Sequence, residues 1–160
     1  MQLFSPEFSE GHFLSKKHEY NAFGGTGENT SPALIWNDVP CDAKSLALTL
    51  YDPDAPTGSG FWHWIVYNIP PDFQGFASNS GDPSAKLIPN ITQGRNDYGT
   101  FGFGGACPPE GDKPHRYIFT LHALSLKRLD IDNDMPNAVI RFIIYTNQIA
   151  KVSLSALYQR

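Results

Sequence analysis

The sequence contains no apolar run approaching the ~18 residues that span a bilayer, no block of like charge and almost no cysteine. The first absence excludes a membrane-spanning helix. The start, "MQLFSPEFSEGHF", also lacks the basic residues, apolar stretch and small-residue cleavage site of a secretory leader. A cytoplasmic protein without stable membrane insertion is therefore expected. Twelve Lys+Arg against sixteen Asp+Glu give a net charge of −4, spread without runs, which is not the footprint of a nucleic-acid or anionic-surface binder. The only cysteines are Cys41 and Cys107. A chain of 160 residues buries enough surface to need no covalent staple, so both are expected as free thiols. Uninterrupted helical stretches are scarce too, because fourteen glycines and thirteen prolines punctuate most of the chain.

Short β-type runs are present instead. "KSLALTLYD" (44–52), "FWHWIVYNI" (61–69) and "HRYIFTLHAL" (115–124) are rich in aromatic and β-branched residues and bounded by turn residues. The second is apolar at both parities, which predicts a central strand covered on both faces. One helix is expected over 136–151, opened by Pro136 and carrying Val139, Ile140, Ile143, Ile144 and Ile149 at helical spacing. A strand over 152–158 follows from the alternation in "VSLSALY". With no repeat and no dividing linker, residues 1–160 read as one mainly β, sandwich-like domain with few peripheral helices. Residues 71–114, dense in Gly, Pro, Asn and Asp, are too long for an idle connection and point to function.

Three segments hold polar groups at predicted strand ends. In "DPDAP", Pro53 stiffens a turn carrying Asp52 and Asp54; an ordinary Asp-Pro turn, with the carboxylates accepting backbone N–H groups, is the plainer reading. In "FWHW", strict alternation sends Trp62 and Trp64 to one face and His63 to the other; a carboxylate such as Asp52 on one ring nitrogen would fix the tautomer and aim the other nitrogen into a cavity. In "CPPEGDKPHRY", His115 and Tyr117 share a face and Arg116 takes the other, with an acid such as Asp97 as its expected partner. The glycines of "YGTFGFGGA" would allow close approach to a ligand, but they do not match a dinucleotide-binding register.

"GENTSPALIW" (27–36), "YDPDAP" (51–56), "WHWIVYNIP" (62–70), "GRNDYG" (94–99) and "CPPEGDKPHRYIFTLHAL" (107–124) together resemble the phosphatidylethanolamine-binding protein family, in particular its bacterial Raf-kinase-inhibitor-like branch. The resemblance covers nearly the whole chain. It implies a β-sandwich with a large Greek-key-like sheet and a smaller one. It also implies a pocket for phosphate, acetate, cacodylate or a phospholipid head group, formed by Asp52, His63, Cys107, Pro108, His115 and Tyr117, with Asp54 and Ala55 behind the turn. A homodimer is implied as well, for which Phe61, Phe101 and Phe103 offer apolar surface.

The expected ligand is thus a small anionic or phosphorylated group. Asp52 is expected to orient His63 and raise its pKa, while His63, His115, the Tyr117 hydroxyl and the Cys107 backbone N–H donate to ligand oxygens. Cys107 is expected to act through its backbone and Arg116 to point away. No catalytic residue, metal or cofactor is expected. Three other readings stay open: a hydrolase or transferase using Cys107 with His63 or His115, a metal site on Asp52, Asp54, His63 and His115, and a protein-interaction regulator with an unidentified partner.

Overall fold

A computed structural model describes residues 1–160. Two antiparallel sheets form the sandwich. The small one orders β1 (Gln2–Phe4), β2 (Leu34–Asn37) and β5 (Gly75–Phe76); the large one runs β6 (Thr92–Gln93), β4 (Phe61–Ile69), β3 (Ser45–Asp52), β7 (His115–Leu124) and β8 (Gln148–Tyr158). The helices are a single 3₁₀ turn, Lys16–His18, and α1, Asn137–Thr146. The expected mainly β architecture is what the chain adopts.

Both faces of the large sheet are covered. Leu46, Leu48 and Leu50 of β3 pack with Trp64, Phe119 and Leu121 against Leu34, Trp36 and Phe76 of the small sheet. On the opposite face, Ile140 and Ile144 of α1 are fully buried among Ala47, Ile65 and Tyr67. This explains the apolar residues at both parities of β4, whose residues from Trp62 to Ile69 are all buried.

The helix is shorter than predicted. Residues 136–151 satisfy a helical period, but α1 ends at Thr146, where the Asn147 side chain donates to the Ile143 carbonyl and its N–H to Ile144. From Gln148 onward the chain pairs with β7, Leu124 opposite Gln148 and Ala123 opposite Ala150. Ladder hydrogen bonds to an existing strand outcompete one further, largely exposed helical turn. The final strand therefore begins at 148 rather than 152.

Two irregularities shape β4. Asn68 adopts φ 59°, tolerable for Asn, and its amide group donates to the Leu129 carbonyl and accepts from the Leu129 N–H. Nearer the other end, Leu50 faces Trp64 whereas Tyr51 faces Trp62, so His63 is the extra residue of a β-bulge. Strict alternation fails there. Trp62 goes to the helix side and stacks on Tyr51 at 4.2 Å, while Trp64 enters the core between the sheets.

Candidate functional site

A cavity of about 180 Å³ lies where β3 ends and β4 and β7 begin. Asp52, His63, Cys107, Pro108, His115 and Tyr117 all line it. Asp54 does not. The turn after β3 contributes Ala55 to Thr57, and Phe61 and Tyr98 complete the aromatic wall.

Asp52 is 2% exposed, and its carboxylate builds the turn that carries it. Oδ1 accepts the N–H groups of Asp54 at 2.8 Å and Ala55 at 3.2 Å, so the plain Asp-Pro-turn reading holds for half of this side chain. Oδ2 is 2.8 Å from His115 Nδ1. Asp52 thus orients His115, not His63 as the sequence suggested. The other ring nitrogen of His115 faces Asp112 Oδ2 at 3.3 Å, so the ring is held between two carboxylates.

His63 is held differently. Its Nδ1 donates to the carbonyls of Gly104 at 2.8 Å and Gly105 at 3.1 Å, leaving Nε2 as the uncommitted nitrogen. The bulge is the physical reason: the extra residue in β4 carries the imidazole toward the 104–105 segment, where its edge-to-face neighbours are Tyr98 and Tyr117 at 5.6 and 5.2 Å. Complete burial lowers the His63 pKa, against the carbonyl bonds and the charges of Asp52 and Asp97, which raise it. The expected rise is therefore a fall, and the ring is neutral.

Two glycines of the 98–106 run serve this arrangement. A Cβ on Gly104 would lie 2.4 Å from the Tyr98 ring, and one on Gly105 would lie 2.5 Å from the His18 carbonyl. Only glycine lets the two carbonyls come up under His63. Tyr98, which the sequence reading passed over, stacks on Tyr20 at 3.9 Å and donates its hydroxyl to Gly105. An aromatic beside a glycine-rich run was the available signal.

Tyr117 is 1% exposed, and its hydroxyl makes no well-formed hydrogen bond, although the Asp52 carboxylate and the Cys107 backbone N–H lie close to it. Burial, and then Asp52, push its pKa up, so it keeps its proton. Asp54 turns to the other face of the sheet, where its Oδ2 accepts from the Arg116 backbone N–H and Nε, both at 2.9 Å, and its Oδ1 from a terminal guanidinium nitrogen at 2.8 Å. That guanidinium holds the Asp54 carboxyl down at about 2. Arg116 points away as expected, but its partner is Asp54 rather than Asp97. Asp97 instead accepts the Trp62 N–H and the Asn137 side-chain amide.

Cys41 and Cys107 are both free. The Cys107 side chain has a contact of its own: Sγ lies 3.7 and 3.6 Å from the carbonyls of Ala22 and Phe23, tying that loop to the cavity wall. Burial raises its pKa, the reverse of an activated nucleophile. Asp52, Asp54, His63 and His115 do not converge on one point, and no group of three or more His, Cys, Asp or Glu is arranged to hold a metal ion. Of the aromatics expected at an apolar surface, Phe103 is buried, Phe61 lines the cavity and Phe101 lies beneath the Arg95 guanidinium. No helix is long and apolar enough to cross a membrane.

Fold and site together define a class: a two-sheet β protein with a small cavity, at the end of the large sheet, walled by aromatics and a buried Asp–His pair. The chain belongs to the phosphatidylethanolamine-binding protein family, whose model matches residues 4–159. It is similar to the Escherichia coli protein YbcL, 43% identical over 99% of this chain and 87% of that one. The crystal structure of YbcL, described as a new member of the mammalian family, superposes with a TM-score of 0.96 and covers 99% of this chain and 98% of that one. YbhB of Escherichia coli is 41% identical over 99% of both chains, and a relative from Aquifex aeolicus is 34% identical over 100% of this chain and 89% of its own.

Proposed function

We propose that the chain is a non-catalytic binding protein for a small anionic, phosphorylated group, which sits in the cavity against Tyr117 and His63. The observation that carries this reading is the Tyr117 hydroxyl, a buried donor left without a well-formed hydrogen bond beside the cavity. Buried polar groups are nearly always satisfied, and an unpaired one costs about 1–3 kcal/mol. A ligand oxygen supplies the missing acceptor. The family's phosphatidylethanolamine-binding name and the grouping of Asp52, His63, His115 and Tyr117 around one cavity support a phosphate-bearing ligand.

The hydrolase alternative loses its nucleophile, because the Cys107 thiol is held protonated by burial and engaged with two carbonyls.

Calorimetric titration of inorganic phosphate into wild type and Tyr117→Phe tests the reading. Wild type binds, and the variant, which loses one hydroxyl and no packing volume, binds about 10-fold or more weakly. Equal binding by the two proteins would remove the hydroxyl from the site.

A further inference from the structure

We infer that the cavity selects a phosphomonoester in its singly charged form, with the ligand's own P–OH hydrogen donated to His63 Nε2, over a phosphodiester or a doubly charged phosphate. This rests on the anion-binding reading above and names the ligand class for that site.

The lining contains no lysine or arginine; Arg160 stands behind the wall with its Nε donating to the Pro108 carbonyl, and Arg116 is paired with Asp54. Asp52 is part of the wall and is buried. His115 lies against it, its two ring nitrogens facing the carboxylates of Asp52 and Asp112. The second charge of a phosphate dianion would therefore meet carboxylates in a poorly screened space.

His63 supplies the complementary group. With Nδ1–H committed to two carbonyls, a neutral ring presents Nε2 as an acceptor. The groups facing this ring are Asp52 from β3, Asp97 and Tyr98 from the loop after β6, and Tyr117 from β7. The two carboxylates favour an imidazolium; burial disfavours it and prevails. Tyr117 brings an O–H donor without a well-formed hydrogen bond. The site thus offers the Tyr117 hydroxyl as a donor and His63 Nε2 as an acceptor to a ligand that has both kinds of group. A monoester monoanion carries P–O⁻ for Tyr117 and P–OH for His63. A diester carries no hydrogen, so its oxygen lone pairs would confront Nε2.

Calorimetry with methyl phosphate and dimethyl phosphate at pH 6 and pH 8 tests this. The second ionisation of a phosphomonoester lies near pH 6, so roughly half is singly charged at pH 6 and about 1% at pH 8. Methyl phosphate should bind about 50-fold more weakly at pH 8, and dimethyl phosphate at least 10-fold more weakly than methyl phosphate at pH 6. In His63→Gln, whose amide donates as well as accepts, the gap between the two esters at pH 6 should close to within about 3-fold. Methyl phosphate binding equally at both pH values, or dimethyl phosphate matching it in wild type at pH 6, overturns the inference while leaving anion binding intact. Failure of inorganic phosphate and both esters to bind at either pH overturns the underlying reading and the inference with it.

Discussion

Replacing Asp52 by Asn and His115 by Gln, singly and together, isolates the contact on which the cavity wall depends. The two side chains are 3% and 5% exposed and meet at 2.8 Å. Asp52→Asn keeps Oδ1 as the acceptor for the Asp54 and Ala55 N–H groups and turns an NH₂ toward His115 Nδ1. The turn should survive while the charge-assisted Asp–His bond is lost, leaving at most a neutral amide-to-imidazole hydrogen bond. A charge-assisted hydrogen bond is worth about 1.5–3 kcal/mol net, and at this burial little of it is screened by solvent. With a urea dependence of about 2 kcal/mol per molar, the Asp52→Asn midpoint should fall by about 1 M. The double variant should be less destabilised than the sum of the singles, by about 1.5 kcal/mol or more. Urea denaturation of all four proteins followed by tryptophan fluorescence gives the coupling energy directly. A coupling below about 0.5 kcal/mol would show that the two groups act independently and that the orientation of His115 has another origin.

Asp54 titrates at about 2 because Arg116 stabilises its carboxylate, so its contribution is present above the usual carboxylate range and disappears as pH falls through about 2. The pair is exposed enough that Arg116→Ala should cost no more than about 1 kcal/mol at pH 7, while carbon-detected NMR should show the Asp54 midpoint moving up by more than one pH unit. His122 is depressed to about 4, chiefly by burial, so the unfolded chain takes up this proton first as pH falls. Stability contributed by the neutral ring is complete above about 6.5 and is lost progressively toward 4, by roughly 3 kcal/mol at most. In His122→Gln the slope of stability against pH over that interval should flatten; an unchanged slope would place the linkage elsewhere. Ile140→Ala should destabilise by about 2–5 kcal/mol because the side chain is fully buried beneath α1, whereas Phe142→Ala, at a position 66% exposed, should change stability by less than about 0.5 kcal/mol in the same urea assay.

The three principal strands were legible because alternation, β-branched content and bounding turns all act locally. The helix overran by about a turn because Ile149 fits a helical period and a strand pairing equally well, and only the presence of β7 decides between them. At the site, the shared face of His115 and Tyr117 followed from the two-residue period of a regular strand. His63 escaped the same rule, since a bulge depends on how β3 and β4 align and leaves no mark in the eight residues around it. That one extra residue accounts for two errors together, the shared face assigned to Trp62 and Trp64 and the Asp52–His63 pairing. Asp54 was misassigned because the Asp52 side chain folds the turn back on itself, which sends two carboxylates two residues apart to opposite sides of the sheet. The role of the Cys107 thiol depends on a loop some 85 residues away, beyond the reach of any local pattern.

The most direct test of phosphate-group binding in the cavity is an NMR titration at pH 6 that follows the imidazole resonances of His63 during addition of inorganic phosphate. His63 should shift saturably and return on dialysis, while His122, on the helix-covered face beside Thr49 and Gln148, should stay in place. An unmoved His63 at phosphate concentrations that saturate any other response would contradict the account.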